Sequence, residues 1–282
     1  MNSKTKKLKF LSKTALSFLV FVGLILSLNA NALQIGDKAP NFIADSTQGK
    51  LDFYDWSQNQ WVILLSHPGD FTPVCTTELA EAAKLQPFLN KKNVKIITLS
   101  ADSVEDHLEW VEVINNYKNK TMTTDGIKNL LLGIEGDTDV NFPIISDPDL
   151  KVAELYGMYH PKAKPNAGSF GEENKSTIRA VFIIDPKKNI QAMLTYPKNI
   201  GRNFNEIVRT LEALQVSSEL NVSTPANWKF GDDVIVSNDI PDEDIKEKYE
   251  VEEYNVFETF LRTIKQPGYY DGNDARRKRV RN

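Results

Sequence analysis

The stretch Trp61-Val-Ile-Leu-Leu-Ser66, followed directly by His67-Pro-Gly-Asp-Phe-Thr-Pro-Val-Cys-Thr-Thr-Glu78, decides the fold of this chain. Its first part is a continuous apolar run with β-branched members, which predicts a buried central strand. The Pro-Gly pair after the histidine ends that strand. Apolar side chains then recur at helical spacing, which predicts a helix over about residues 74–89. The single cysteine of the chain, Cys75, is therefore expected in the first turn of a helix that follows a core strand.

Further strands and helices are predicted by the same two kinds of pattern on the C-terminal side. The predicted strands cover 94–99, 180–184 and 190–196, and the predicted helices are one that Ser103 caps and one over 203–214. The last two strands are joined by a short polar turn and form a hairpin. The order strand, helix, strand, helix, hairpin, helix indicates an α/β protein with a mixed central sheet, and it is the element order of the thioredoxin fold.

The composition argues against several classes of protein. The chain has 282 residues, of which 41% are hydrophobic and 26% charged, so it can bury a sizeable core. Its formal net charge of −4 argues against a dedicated nucleic-acid binder. One cysteine can form neither a disulfide within the chain nor a cysteine-based zinc cluster, and three histidines do not favour a histidine-rich metal site. No metal is therefore predicted.

Residues 1–32 have the pattern of a secretory signal peptide. Five lysines and no acidic residue accompany an apolar segment from Ala15 to Leu28, and Ala30-Asn31-Ala32 then offers a small-residue cleavage site. Cleavage would start the mature chain at Leu33 and leave 29 basic against 38 acidic residues, a net charge of −9. The chain is therefore predicted to be exported to a periplasmic or extracellular location. The alternative is an uncleaved membrane anchor, although a spanning helix needs roughly 20 apolar residues and this segment is shorter.

The mature chain is predicted to have three parts. Residues 33–215 form the thioredoxin-like domain, 216–265 an acidic C-terminal extension, and 266–282 a disordered basic tail. The tail ends in Arg276-Arg-Lys-Arg-Val-Arg281, and the alternative to a solvated tail is one that binds anionic surfaces. Residues 118–141, which are largely polar, are predicted to be an insertion or loop.

The position of Cys75 permits two interpretations. Free backbone N–H groups and the helix dipole at a helix start favour an anion, so a thiol there ionises more easily and becomes a nucleophile. The alternative is a small buried hydrophobic residue. Thr72, three residues earlier, can offer its hydroxyl to the sulfur or to a bound oxygen. Arg179 precedes the predicted strand over 180–184, where it is either a charge at the rim of the sheet or a functional group.

The segment Pro73-Val-Cys-Thr-Thr-Glu78 resembles the signature of the peroxiredoxins, the AhpC/TSA superfamily. The longer run from Ser66 to Leu79 resembles their one-cysteine subfamily, known as the peroxiredoxin-6 type. Further segments that resemble this subfamily are Ser103 to Trp110, Phe142 to Ile145, Gly201 to Phe204 and Trp228 to Asp232. The resemblance covers roughly residues 33–265, and it implies a thioredoxin-like fold with a C-terminal peroxiredoxin extension.

The resemblance implies a thiol-specific peroxidase that reduces hydrogen peroxide and organic hydroperoxides, in antioxidant defence and cell redox homeostasis. It places the peroxidatic cysteine on Cys75, the active-site threonine on Thr72 and the active-site arginine on Arg179. Pro68 is then the proline that shields the substrate pocket. His67 is either the histidine beside that pocket or a hydrogen-bonded core histidine.

The resemblance also implies partners. No metal, flavin or haem cofactor is needed, and a sulfenic acid on a lone cysteine has to be reduced by an external thiol, such as glutathione or a thioredoxin-like protein. A homodimer is implied, with the C-terminal extension near the site of the other subunit. The alternative is a non-enzymatic redox sensor or holdase, in which Cys75 is only a switch. A disulfide oxidoreductase is disfavoured because the chain has no C-x-x-C.

Overall fold

The computed structural model describes residues 32–120, 138–159 and 176–268, except for the side chains of 119 and 120. Three predictions therefore lie outside the described residues: the signal peptide apart from residue 32, most of the insertion over 118–141, and the basic tail from residue 269 onward. Binding of that tail to anionic surfaces stays a prediction. In the described ranges, no helix is both long enough and apolar enough to cross a lipid bilayer.

A mixed sheet of five strands forms the centre of the described structure. The strands of this central sheet are β3 (Trp61–Ser66), β4 (Val94–Ser100), β5 (Ile144–Ser146), β6 (Arg179–Ile184) and β7 (Ile190–Tyr196). Two shorter strands that precede them, β1 (Ile43–Ala44) and β2 (Leu51–Asp52), form a separate two-stranded sheet. The strand order of the central sheet is β5-β4-β3-β6-β7. Strands β3, β4 and β5 are parallel, and β6 is antiparallel to both of its neighbours. Every residue of β3 and β6 is buried, as expected for continuous apolar strands. The predicted α/β class with a mixed sheet is confirmed.

Six α-helices occur in the described residues, and three of them pack in one core with this sheet. The six helices are α1 (Phe53–Ser57), α2 (Pro73–Lys91), α3 (Val104–Lys120), α4 (Lys151–Tyr156), α5 (Phe204–Leu220) and α6 (Ile245–Tyr249). Leu79 of α2, Ile114 of α3 and Leu211 of α5 are fully buried in one hydrophobic core with the sheet. Ser103 caps α3 as predicted, because its hydroxyl oxygen accepts the backbone N–H of Asp106 at 3.1 Å.

The antiparallel pairing of β3 with β6 brings two distant parts of the chain together. Leu65 pairs with Val181, and the hydroxyl of Ser66 accepts the N–H of Ala180 at 3.1 Å and donates to the carbonyl of Ile178 at 2.7 Å. The C-terminal end of β3 therefore lies beside the N-terminal end of β6. Because α2 follows β3, the start of α2 and the first residue of β6, Arg179, lie at the same edge of the sheet.

A second sheet forms the C-terminal extension. It consists of β8 (Val222–Ser223), β9 (Val234–Val236), β10 (Asn255–Glu258) and β11 (Leu261–Ile264), in the antiparallel order β10-β11-β9-β8. The predicted end of this helix at residue 214 is wrong, since α5 continues to Leu220 and so extends past the predicted domain boundary after residue 215. Val216 packs in the core of the extension, and Asn221, with φ of 53°, ends the helix in the left-handed region.

Candidate active site

Cys75 lies in the first turn of α2, where the sequence places it. Thr72 is the N-cap residue, with an extended backbone (φ −102°, ψ 145°), and Pro73 is the first helical residue. The hydroxyl of Thr72 donates to the carbonyl of Gly69 at 2.9 Å rather than to the sulfur. The Thr72 hydroxyl oxygen can therefore still accept a hydrogen bond from another group. The side chain of Cys75 is fully buried. Burial alone does not distinguish a nucleophilic thiol from a small hydrophobic residue, so the groups around the sulfur have to decide between them.

The guanidinium group of Arg179 contacts the sulfur. Its Nη1 lies 3.2 Å from Cys75 Sγ and 2.7 Å from Oε2 of Glu78. Its Nε and Nη2 donate to the carbonyl of Lys198 at 3.0 and 2.7 Å, which fixes the plane of the guanidinium. The side chain is only 2% exposed. Arg179 is thus a buried group beside the thiol and is not a charge at the rim of the sheet.

Glu78 and Arg202 complete this cluster, and neither is among the site residues predicted from the sequence. Glu78 is three residues after Cys75, so both side chains lie on the same face of α2. Arg202 donates from Nε to Oε1 at 3.0 Å and from Nη2 to Oε2 at 2.7 Å, a bidentate pair. The backbone N–H of Arg202 donates to Oε1 as well, at 2.7 Å. One buried carboxylate thus holds two buried guanidinium groups, which leaves an excess positive charge beside the sulfur.

Comparisons with known proteins identify the family of this chain. Residues 35–193 match the AhpC/TSA family, and residues 213–251 match the C-terminal domain of 1-Cys peroxiredoxin. A 1-Cys peroxiredoxin of Dictyostelium discoideum is 42% identical over 237 residues, which are 84% of this chain and 87% of that relative. The chain belongs to the AhpC/TSA family, as a 1-Cys peroxiredoxin. Peroxiredoxins are thiol-dependent peroxidases, so the predicted enzyme class is confirmed.

A further relative and two solved peroxiredoxin structures support the same assignment. The peroxiredoxin-6 of Gallus gallus is 44% identical over 220 residues, 77% of this chain and 88% of that protein. A structure of yeast mitochondrial 1-Cys peroxiredoxin is 40% identical, with a TM-score of 0.67 over 83% of this chain and 99% of that one. The peroxiredoxin 6 of Arenicola marina is 37% identical, with a TM-score of 0.70 over 84% and 100% of the two chains. The predicted thioredoxin-like fold with a C-terminal extension is confirmed.

The other two predicted site residues of this peroxiredoxin lie at the end of β3. Pro68 is buried directly after His67. The ring of His67 is fully buried, with Nε2 3.0 Å from Oδ1 of Asp70 and its centre 5.1 Å from that of Trp110. Burial lowers the pKa of His67, although the hydrogen bond to Asp70 acts in the opposite direction. His67 is therefore a hydrogen-bonded core histidine, and its place beside the pocket stays a prediction.

A group with metal-ligand geometry occurs at this end of β3. Ligand atoms of His67, Asp70 and Asp102 lie within 4.8 Å of one another. Asp102 Oδ2 already accepts the backbone N–H of Asp70 at 2.9 Å and the hydroxyl of Ser100 at 2.6 Å. Burial would raise the pKa of Asp70, but hydrogen bonds from His107 and His67 outweigh it and lower that pKa. Hydrogen bonds therefore account for the arrangement, and no metal is assigned to it.

Proposed function

We propose that the Cys75 thiolate attacks one oxygen of a hydroperoxide and becomes a sulfenic acid. A sulfur–oxygen bond forms as the O–O bond breaks, so the sulfur is oxidised and the peroxide is reduced to water or an alcohol. The attacked oxygen keeps its hydrogen and becomes the hydroxyl of the sulfenic acid, while the leaving oxygen takes a proton from solvent. Hydrogen peroxide and organic hydroperoxides are both substrates of this step. The observation that carries the proposal is the 3.2 Å contact between Arg179 Nη1 and Cys75 Sγ in a fully buried, positively charged setting.

The neighbouring groups have distinct tasks in this reaction. The Arg179 guanidinium, which stays protonated, stabilises the thiolate and polarises the O–O bond. The backbone N–H groups at the start of α2 add positive potential. The Thr72 oxygen, whose own proton is used by Gly69, accepts the hydroxyl of the hydroperoxide and keeps both peroxide oxygens in line with the sulfur. Such preorganised groups usually supply the largest share of rate enhancement in enzymes.

An external thiol completes the cycle in this proposal. The chain has one cysteine, so no second thiol of the same polypeptide can form a resolving disulfide with the sulfenic acid. The related yeast mitochondrial 1-Cys peroxiredoxin has a thiol resolving mechanism via glutathione/thioredoxin systems. Glutathione or a thioredoxin-like protein is the corresponding reductant proposed for this chain.

Mass spectrometry of the peroxide-treated protein tests the oxidation step and the recycling step separately. One equivalent of peroxide is expected to add one oxygen to Cys75, and glutathione or thioredoxin is expected to remove it and to sustain many turnovers. Excess peroxide without a thiol is expected to drive Cys75 to the sulfinic acid. An unmodified Cys75 would contradict the peroxidase mechanism, whereas one oxidation per chain without turnover would indicate the redox sensor.

Export is proposed for the N-terminal segment. The lysine-rich start, the short apolar run and the Ala30-Asn31-Ala32 site support a cleavable signal peptide. The compact unit that contains the central sheet begins at Ile35, two residues after the expected mature terminus Leu33. Expression of the full chain in an exporting host, followed by N-terminal sequencing, is expected to give a mature protein that starts at Leu33. A full-length chain that sediments with membranes would instead indicate the uncleaved anchor.

A homodimer is proposed as the assembled state. The β10–β11 hairpin exposes three large apolar side chains, Val256, Phe257 and Phe260, at 56%, 64% and 64%. Several large exposed apolar side chains on one hairpin are a common feature of surfaces that a partner covers. Sedimentation is expected to show twice the mass of one chain, and Phe257→Glu is expected to shift the protein toward the monomer. Leu155→Glu, at a 47% exposed position in α4, is the control; a monomeric wild type would contradict the proposal.

A further inference from the structure

The turn between α5 and β8 contains a sequence pattern that the peroxidase reaction does not use. Asn221-Val222-Ser223 combines an asparagine, a residue other than proline and a serine, which is the acceptor pattern for N-linked glycosylation of exported proteins. Asn119 and Asn174 begin the same pattern. The side chain of Asn119 and the whole of Asn174 lie outside the described residues, so the structure bears on Asn221 alone.

Asn221 lies on an exposed turn with a fixed backbone. Asn221 and Ser223 are both exposed, whereas Val222 between them is buried in the core of the extension. The backbone of Asn221 is in the left-handed region, with φ of 53° and ψ of 51°, which asparagine adopts more readily than most residues. The hydroxyl of Tyr249 donates to the backbone carbonyl of Asn221 at 3.1 Å. This contact holds the turn through the main chain, without using the side-chain amide that a transferase would need.

The turn is far from the reactive sulfur. Arg202, which shares the Glu78 carboxylate with Arg179, lies two residues before the start of α5, and Asn221 follows the last residue of that helix. A helix of 17 residues is about 25 Å long, at a rise of about 1.5 Å per residue. A large substituent on Asn221 is therefore at the other end of α5 from the active site and does not block the approach of peroxide.

The turn is also clear of the proposed dimer surface. The second sheet has the order β10-β11-β9-β8, so β10 and β8 are its two opposite edges, and β8 begins directly after Asn221. The exposed apolar side chains proposed to contact a second copy are on the β10–β11 hairpin. A glycan beside β8 leaves that hairpin accessible. It also opposes pairing of the β8 edge with other chains, because it is bulky and hydrophilic.

We infer that Asn221 is the acceptor of an N-linked glycan in the exported protein. The inference rests on the proposed export and is independent of the peroxidase reaction. The donor is an oligosaccharide joined to a lipid through pyrophosphate. A bond forms between Nδ2 of Asn221 and the anomeric carbon of the first sugar, as the bond from that carbon to the pyrophosphate oxygen breaks. The amide loses one hydrogen as a proton, and the lipid pyrophosphate leaves with the electron pair of the broken bond.

Secretion from yeast tests the acceptor directly. The full chain is expressed beside a second version in which a yeast secretory leader replaces residues 1–32. Secreted protein is digested with peptide N-glycosidase, which converts a glycosylated asparagine to aspartate, and is mapped by mass spectrometry. We expect glycan on Asn221 in most secreted chains, and aspartate at that position after the digestion. Unmodified Asn221 in most chains secreted with the yeast leader would overturn the inference.

Two substitutions of Ser223 are the matched controls. Ser223→Thr keeps an acceptor pattern and Ser223→Ala removes it, while Asn221 and its turn stay in both variants. We expect the threonine variant to keep the glycan and the alanine variant to lose it; wild-type glycosylation of the alanine variant would overturn the inference. Asn227 is also exposed and has φ of 60°, but it is followed by Trp228-Lys229 and should carry no glycan in any of these proteins.

Failure of export and failure of the acceptor give different results. Glycan on Asn221 behind the yeast leader, with a full chain that stays in the cell and keeps residues 1–32, would support the acceptor and contradict the proposed export. The rate constant for oxidation of Cys75 by peroxide should be the same before and after removal of the glycan. A slower glycosylated form would contradict the placement of the turn away from the active site. If neither form is oxidised, the proposed peroxidase function fails while the glycan still identifies the acceptor.

Discussion

Replacement of Cys75 by serine is expected to abolish thiol-dependent peroxide reduction, with a fall of about 10³-fold or more, to the uncatalysed background. Serine has nearly the same shape, so the contact with Arg179 can persist. A hydroxyl, however, is far less acidic than a thiol and is a weak nucleophile without a neighbouring base. Because the chain has one cysteine, no other thiol can take over the reaction. Stopped-flow measurement of peroxide consumption, with and without glutathione or thioredoxin, gives the size of the loss.

Thr77→Ser is the matched control for this variant. Thr77 lies in the same turn of α2, is exposed, and donates its hydroxyl to the carbonyl of Val74 at 2.7 Å. It should therefore keep the wild-type rate constant, and Cys75→Ser should unfold at nearly the wild-type temperature. Retention of a tenth or more of the activity by a folded Cys75→Ser protein would mean that the reaction does not go through this sulfur.

The position of Cys75 is predictable from sequence because it depends on neighbours in the chain. An apolar run, a Pro-Gly break and a helical stripe follow one another within residues 61–89, and the structure has β3, a loop and α2 in that order. The end of α5 is not predictable in the same way. It depends on Val216, which packs against a second core built from residues further along the chain.

The partners of the sulfur depend on contacts that are distant in sequence. Arg179 is 104 positions from Cys75, and Arg202 is 124 positions from Glu78. A charged residue at a strand end is compatible with a rim position until its partners are known. Glu78 gives one local signal, an acidic residue three positions after the cysteine on the buried face of α2, but its meaning depends on the two arginines. The pairing of Asp70 with His107, 37 positions apart, is hidden for the same reason.

Glu78→Gln is expected to destabilise the protein strongly while leaving the cysteine in place. The side chain is 3% exposed and is the shared partner of Arg179 and Arg202, which are themselves 2% and 0% exposed. Glutamine keeps the shape but removes the charge, so two guanidinium groups remain buried with one neutral amide between them. Loss of one partner from a buried ion pair typically costs about 3–5 kcal/mol. Denaturant unfolding of the variant and the wild type measures the difference.

The same substitution should also slow the oxidation of Cys75, and the two effects have to be separated. In this variant, Nη1 of Arg179 loses its anionic partner, and only the bonds from Nε and Nη2 to the Lys198 carbonyl still orient the guanidinium at the sulfur. We therefore expect the rate constant for oxidation of Cys75 by peroxide to fall about tenfold in the folded protein. Glu206→Gln, in α5, removes a 42% exposed carboxylate that pairs with the 32% exposed Arg209 at 2.6 Å and should cost less than about 1 kcal/mol without changing the rate constant. Equal stability losses for Glu78→Gln and Glu206→Gln would contradict the central place of Glu78. A stable Glu78→Gln protein with the wild-type rate constant would show that the orientation of Arg179 is set by the Lys198 carbonyl alone.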